Sequence, residues 1–252
     1  MSCRFKLITF DVTGTLLRFR RTAGEQYVET GKKFGHVLNA NEVQNSFVKH
    51  YKVYDRAYPN FGSGSIGWQQ WWRNVVSSCF IETYNGPGQL SESDIDKFFN
   101  DLIKSYSDNT GWKLAEGATE LLEMLHSRNI MLGVVSNFDA RLHNLLKEMK
   151  LYHYFKFVIT SYESGLVKPD PKIFKLAESL ASSSPSDIKI HIGDNFDLDY
   201  KAALDVGWNA LLISHAFGKN ESENDSSDLI FSDLNSVRRF LLRSDCLKSQ
   251  NN

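Results

Sequence analysis

The feature that most constrains this chain is a change of period along it. From Glu116 onward, short apolar runs rich in β-branched and aromatic residues alternate with segments in which apolar residues recur at every third or fourth position. Ile130 to Val135, Phe155 to Thr160, Ile188 to Ile192, Ala210 to Ile213 and Leu229 to Phe231 read as strands. Ala118 to Arg128, Arg141 to Lys150, Pro171 to Ala181, Asp199 to Val206 and Leu234 to Arg243 read as the helices between and after them. Such alternation builds βαβ units, so the pattern predicts an α/β fold: a doubly wound, Rossmann-like parallel sheet covered on both faces. One further strand, Phe5 to Phe10, stands apart near the N-terminus.

Between that first strand and the alternating part the period is helical throughout, over Gly24 to Phe34, Glu42 to Ala57, Trp68 to Ile81 and Asp94 to Tyr106. These helices bury an apolar set of their own, which predicts a small helical domain inserted after the first strand. The boundaries expected are 1–16 and 114–252 for the core and 17–113 for the insert, with linkers near Leu17 to Thr22 and Asp108 to Glu116. Ser182 to Ser186 and Lys219 to Asp228 read as polar loops. Trp68, Trp71, Trp72, Tyr58 and Phe61 could line a substrate pocket facing Asp11, but the helical spacing of Trp68, Trp71 and Trp72 better suits the core of the insert. The basic run Arg18, Arg20 and Arg21 suits a solvated turn or a flap presented to an anion.

Composition narrows the classes of partner. The 252 residues carry 29 basic and 30 acidic side chains, a net charge of −1, which gives no electrostatic pull toward nucleic acid. The longest apolar runs fall short of the ~18 residues that a membrane span needs, and the N-terminal run is too short for a secretory signal. An intracellular, cytoplasmic protein is therefore expected. Cys3, Cys79 and Cys246 lie far apart and match neither a disulfide framework nor zinc-ligand spacing, so they read as reduced bystanders. The sequons at Asn220 and Asn224 read as part of a polar loop.

Ligands of open parallel sheets bind beyond the carboxyl ends of the strands, so the residues just after each strand matter most. They are Asp11-Val12-Thr13-Gly14-Thr15, Ser136-Asn137, Lys168-Pro169-Asp170-Pro171, and Gly193-Asp194 with Asp197 and Asp199 following. Taken singly, Asp11, Asp194 or Ser136 would serve as a helix cap. Taken together and in this order, the four pieces resemble the haloacid dehalogenase superfamily of aspartate-nucleophile hydrolases, over residues 3–16 and 114–236. The helical insert looks like that family's cap.

Residue chemistry fits what the resemblance implies. An ionised Asp11 can attack phosphorus and split one displacement into two. Asp11, the Thr13 carbonyl and Asp194 offer the oxygen ligands that Mg²⁺ prefers. Lys168 supplies a fixed positive charge, while the Ser136 hydroxyl and backbone N–H groups of Val12, Thr13 and Asn137 suit phosphoryl oxygens. Asp199 would stand behind them, orienting Lys168 or a metal-bound water, and Asp197 reads as solvated.

One position departs from the resemblance. Most phosphatases of this superfamily carry a second aspartate two residues after the nucleophile, as acid and base; here Thr13 stands there. Loss of that group costs ~10² to 10⁴ in rate. Thr13 resembles the DKTGT of P-type ATPases, whose phosphoenzyme is long-lived, but their membrane helices are lacking. The 2-haloacid dehalogenases also lack the second aspartate, yet have no counterpart of Asp194, so Asp194 favours metal and phosphate over halide. The sequence thus points to a Mg²⁺-dependent phosphohydrolase acting through an aspartyl-phosphate on a small phosphorylated substrate, weakened by Thr13. The alternative is a pseudo-phosphatase that binds Mg²⁺ and an anion while its insert recruits a protein partner. Neither nucleic acid nor membrane is an expected partner.

Overall fold

The computed structural model describes residues 5–86, 89–214 and 229–243. The tract Lys219 to Asp228 with its sequons, and Cys3 and Cys246, lie outside them. The strands are β1 (Phe5–Phe10), β2 (Leu17–Phe19), β3 (Trp112–Leu114), β4 (Met131–Ser136), β5 (Phe157–Thr160), β6 (Ile188–Gly193), β7 (Asn209–Ile213) and β8 (Ile230–Phe231). Six of them form one sheet in the order β5-β4-β1-β6-β7-β8. Every pairing in it is parallel.

This is the α/β, Rossmann-like sheet that the alternating pattern predicts. After β1 the chain builds outward through β4 and β5, then returns past β1 to build β6, β7 and β8 on the other side. The order reverses at β1, and that reversal opens a crevice at the strand carboxyl ends. One face is buried by Leu7, Val135, Ile159, Phe174, Ala177 and Trp208. On the core unit's other helices, Ala118–Ser127 packs against Leu234–Arg243, with Leu121, Leu125, Val237 and Leu241 fully buried. No helix among the described residues is long and apolar enough to cross a membrane.

The chain divides into two compact units, Met1–Arg18 with Leu114–Asn137 and Lys150–Asn252, and Phe19–Lys113 with Phe138–Met149. The second holds helices Ala23–Lys33, Ala40–Ala57, Gly67–Thr83 and Glu92–Ser105, each within a few residues of the range its periodicity predicts. Thr22 and Ser91 start two of them with reciprocal capping boxes to Glu25 and Asp94. Two features were not visible in the sequence. The stretches read as linkers contain β2 and β3, which pair with each other. Residues 138–149, assigned to the core by sequence, group with the helical unit, because Asp139 and Arg141 are buried among its tryptophans.

The core of the helical unit is aromatic. Phe80 stacks on Phe98 at 4.0 Å, and Tyr27 meets Phe98 edge-on at 5.5 Å. The Tyr27 hydroxyl is fully buried with no nitrogen or oxygen partner among the described residues. Beside it lies the Cys79 thiol, a weak hydrogen-bonding group that donates to the Val43 carbonyl at 3.5 Å. Removing an unsatisfied hydroxyl costs little, whereas removing a stacked ring leaves a void. Tyr27→Phe should therefore change stability by less than ~1 kcal/mol, while Phe98→Ala should cost ~3–5 kcal/mol. Urea denaturation followed by tryptophan fluorescence checks both, and a large loss in Tyr27→Phe would show that the hydroxyl has a partner.

Candidate active site

The sheet register brings the polar strand ends to one level. Phe10 pairs with Val134 on one side and Ile192 on the other, so Asp11 leaves β1 beside the last residues of β4 and β6. Its N–H extends the ladder by donating to the Ile192 carbonyl at 2.9 Å. The chain then turns tightly: the Val12 carbonyl accepts from the N–H groups of Thr15, Leu16 and Leu17, and Gly14 N–H donates to Leu17 O at 2.8 Å. Gly14 has φ +85°, and a side chain there would overlap the Asp194 carboxylate. The N–H groups of Val12 and Thr13 find no acceptor among the described residues. Thr13 itself is half-buried.

Lys168 is aimed by its own backbone. Asn137 grips that backbone at both ends, its Oδ1 accepting from Lys168 N–H at 2.9 Å and its Nδ2 donating to Lys168 O at 3.0 Å. Asp170 closes the loop as the cap of helix Pro171–Leu180. Only 2% exposed, Lys168 donates from Nζ to Asp11 Oδ1 at 2.7 Å, Asp199 Oδ1 at 2.6 Å and Val135 O at 2.9 Å. Burial opposes its charge, but the two carboxylates outweigh that and raise its pKa.

Asp199 is positioned by a chain of buried groups. A π-helical turn, Phe196–Lys201, begins at Asn195 and brings Asp199 back over the end of β6. There Gly193 leaves no room for a side chain between itself and the carboxyl. Asn195 N–H donates to Asp199 Oδ2 at 3.0 Å, and His191 Nε2 meets Oδ1 at 3.2 Å. The other ring nitrogen of His191 meets Thr9 Oγ1 at 2.8 Å, from the facing position on β1. The Asp199 carboxylate can only accept, which sets the tautomer: Nε2 carries the proton and Nδ1 accepts from the Thr9 hydroxyl. Against the opposing effect of burial, Lys168 and His191 hold the Asp199 carboxyl well below the usual range.

Asp194 follows β6 and reaches the surface, with Thr15 Oγ1 at 3.5 Å. Burial of its carboxyl, aided by the charge of Asp199, pushes its pKa up to about 6. Burial also pushes Asp11 up to about 6, Lys168 opposing and Asp199 adding to the shift. Asp11, Asp194 and Asp199 each bring a carboxylate oxygen within 4.8 Å of the others, a cluster able to hold a metal ion. Both oxygens of Asp199 already accept from N–H donors, so Asp11 and Asp194 are the carboxylates with capacity to spare. Ser136, 1% exposed at the end of β4, makes no side-chain hydrogen bond among the described residues.

The structure thus gathers Asp11, Lys168, Asp194 and Asp199, with Ser136 and Asn137 on the adjoining strand end. Asp197 is exposed, as expected. The side chain of Asn137, a phosphate-binding candidate by sequence, is committed to the Lys168 backbone. Thr9, His191 and Asn195 were not read as site residues; the only signal was a histidine inside an otherwise apolar strand. In the helical unit, Trp71 is fully buried and donates to the carbonyls of Tyr54 and Tyr58. Arg20 is exposed, with Nε 3.4 Å from Asn109 O.

The lysine should also be a stability element. Lys168→Met would leave Asp11 and Asp199 buried without their counter-ion, at a cost of ~3–5 kcal/mol. Adding Asp199→Asn to that variant removes one of the stranded charges and should recover part of the loss. Urea denaturation of the two single variants and the double variant checks this, and simple additivity would contradict the pairing.

Comparison with known proteins shows the family and the fold. The family profile of haloacid dehalogenase-like hydrolases matches residues 5–207. The chain is 39% identical over 245 residues to the rhythmically expressed gene 2 protein of Drosophila melanogaster, covering 92% of this chain and 93% of that one. It is 34% identical over 212 residues to haloacid dehalogenase-like hydrolase domain-containing protein 3 of Bos taurus, covering 84% and 82%. Among solved structures, a haloacid dehalogenase-type phosphatase from Thermococcus onnurineus is similar with a TM-score of 0.63 at 20% identity, covering 94% of this chain and 98% of that one. An L-2-haloacid dehalogenase is similar with a TM-score of 0.70 at 22% identity, covering 95% and 100%. At those identities the solved structures share the fold, and the family assignment rests on the sequence matches. The chain belongs to the haloacid dehalogenase-like hydrolase family.

Proposed function

We propose that this hydrolase is a Mg²⁺-dependent phosphohydrolase that acts through an aspartyl-phosphate on Asp11, on a small phosphorylated substrate. The observation that carries the reading is the division of labour around Asp11. Lys168 holds one of its oxygens, and Asp194 adds a second carboxylate with the Thr15 hydroxyl 3.5 Å away. Two carboxylates and the Thr13 carbonyl form an all-oxygen donor set without cysteine or histidine, which suits a hard cation. Asp11, Thr13 and Asp194 would hold Mg²⁺, and the ion when bound supplies positive charge that offsets that of the phosphoryl group.

The chain's own residues then have separate tasks. The second oxygen of Asp11 attacks phosphorus, and the bond from phosphorus to the leaving oxygen breaks. The Val12 and Thr13 N–H groups, which have no acceptor among the described residues, and the Ser136 hydroxyl donate to phosphoryl oxygens. Asn137 contributes by holding Lys168 in place, and Lys168 offsets charge as it accumulates. Water then releases phosphate and regenerates the Asp11 carboxylate. The leaving oxygen must take its proton from solvent, because a threonine hydroxyl at position 13 is too weak an acid near neutral pH. Slow turnover on esters with poor leaving groups follows from that one residue.

Two measurements test this reading. In calorimetric titration, Asp194→Asn should lose Mg²⁺ affinity while the fold persists, and Asp11→Asn should abolish turnover of p-nitrophenyl phosphate. Turnover that survives Asp11→Asn would sink the covalent mechanism. Thr13→Asp should raise turnover of alkyl or sugar phosphates by at least about tenfold, the lower part of what general acid/base catalysis supplies. If that variant binds Mg²⁺ and a phosphate mimic yet turns over no faster on any ester, position 13 does not limit the site. Binding without turnover by the parent protein would instead support the pseudo-phosphatase reading.

A further inference from the structure

Within the helical unit lies a cavity of about 120 Å³ whose walls are almost wholly apolar. Tyr27, Phe47, Trp72, Trp112 and Phe138 contribute to it, and Arg141 is its charged lining residue. We infer that this cavity, whose lining includes none of the carboxylates or the lysine of the core unit's cluster, is a binding site for a small uncharged ring, an aromatic group of about six carbon atoms.

The first argument is that the walls are held open. Trp72 donates from Nε1 to Asp139 Oδ2 at 2.7 Å, which fixes its indole. Its ring also stacks with Phe47 and Phe61, at 6.5 Å and 6.1 Å between centroids. Trp112 is 1% exposed and donates from Nε1 to the Tyr106 carbonyl at 3.2 Å. Large rings tied down by hydrogen bonds cannot swing inward to fill the space. Protein interiors are otherwise packed with few voids larger than a water molecule, so a persistent space of this size forfeits contacts along its whole lining. An apolar guest restores them. A dry cavity of about 150 Å³ lined by apolar side chains is known to take benzene, which sets the scale of guest expected here.

The second argument concerns Arg141, which decides the charge of the guest. Its guanidinium is 7% exposed by residue and spends Nε and Nη2 on Asp139, at 2.8 Å and 2.6 Å. It also lies 5.1 Å from the Trp72 ring and 5.9 Å from the Phe138 ring. The bidentate partner neutralises the cation and the rings occupy its faces. An anionic guest would therefore meet a cation already neutralised, with the Asp139 carboxylate beside it, whereas a neutral ring needs only the apolar walls. Of the wall residues, Phe19 is left open to solvent, at 45%, which gives the cavity a route of entry.

The test uses the full chain and no catalytic readout, so it stands or falls apart from the phosphohydrolase reading. Fluorobenzene titrated against the protein and followed by ¹⁹F NMR should show saturable binding. Benzoate should bind at least about tenfold more weakly, a difference of ~1.4 kcal/mol. Ala23→Phe, placed in the cavity wall, should fill the space and weaken fluorobenzene binding at least about tenfold; Val76→Leu serves if the larger change does not fold. Absence of saturable binding overturns the inference. So does unchanged binding in a folded filled variant, and tighter binding of benzoate than of fluorobenzene would show an anion site instead.

Discussion

The candidate site depends on one buried ammonium. Lys168 lies almost wholly out of water, where an unpaired charge would be untenable, and it persists because Asp11 and Asp199 each accept from it at hydrogen-bond distance. The cluster has one cation for two carboxylates in direct contact, with Asp194 as a third nearby. Burial first, and that excess of negative charge after it, shape its electrostatics. Asp199, which meets Lys168, His191 and the Asn195 N–H, is held ionised, while Asp11 and Asp194 are pushed toward the protonated form. A second positive charge from outside the chain would relieve the imbalance, which is the physical ground for expecting a cation beside Asp11 and Asp194.

Holding that ammonium in place engages much of the core unit's edge. Asn137 grips the Lys168 backbone, the π-helical turn after β6 carries Asp199 back to meet its side chain, and His191 ties Asp199 to Thr9 inside the sheet. Two glycines permit the approach: Gly14 lets the turn after Asp11 pass beside Asp194, and Gly193 lets Asp199 lie against the end of β6. The parallel register then accounts for the convergence. Neighbouring strands end at one level, so residues more than a hundred positions apart in sequence become neighbours in space.

The helical unit is organised by a different interaction. Its core is built of stacked and edge-on aromatic rings rather than ion pairs. The buried charged pair there, Asp139 with Arg141, is itself enclosed by Trp68, Trp72 and Phe138. Rings of this size leave gaps that smaller side chains would close, and the cavity beside Trp72 is one of them. The same residues explain why 138–149 join this unit although they follow a core strand directly.

The sequence by itself determined the strands of the sheet, the helical insert and the polar residues at the strand ends. Periodicity and strand-end position are local properties that a single chain displays. Asp11, Ser136 and Asp194 were legible because each comes at the end of a strand, and Lys168 because it opens a proline-marked loop. Tertiary structure alone decided what those residues touch. Nothing local in the sequence distinguishes Asn137 as the grip on Lys168 from Asn137 as a phosphate donor, since its amide can do either and the loop that reaches it lies 31 positions away. Nor could His191 be assigned, because a histidine in an apolar strand becomes a link to Asp199 only when a widened helical turn folds that carboxylate back over it. The pairing of β2 with β3 and the membership of 138–149 were hidden for the same reason: each rests on partners distant in sequence, which only the folded chain brings within reach.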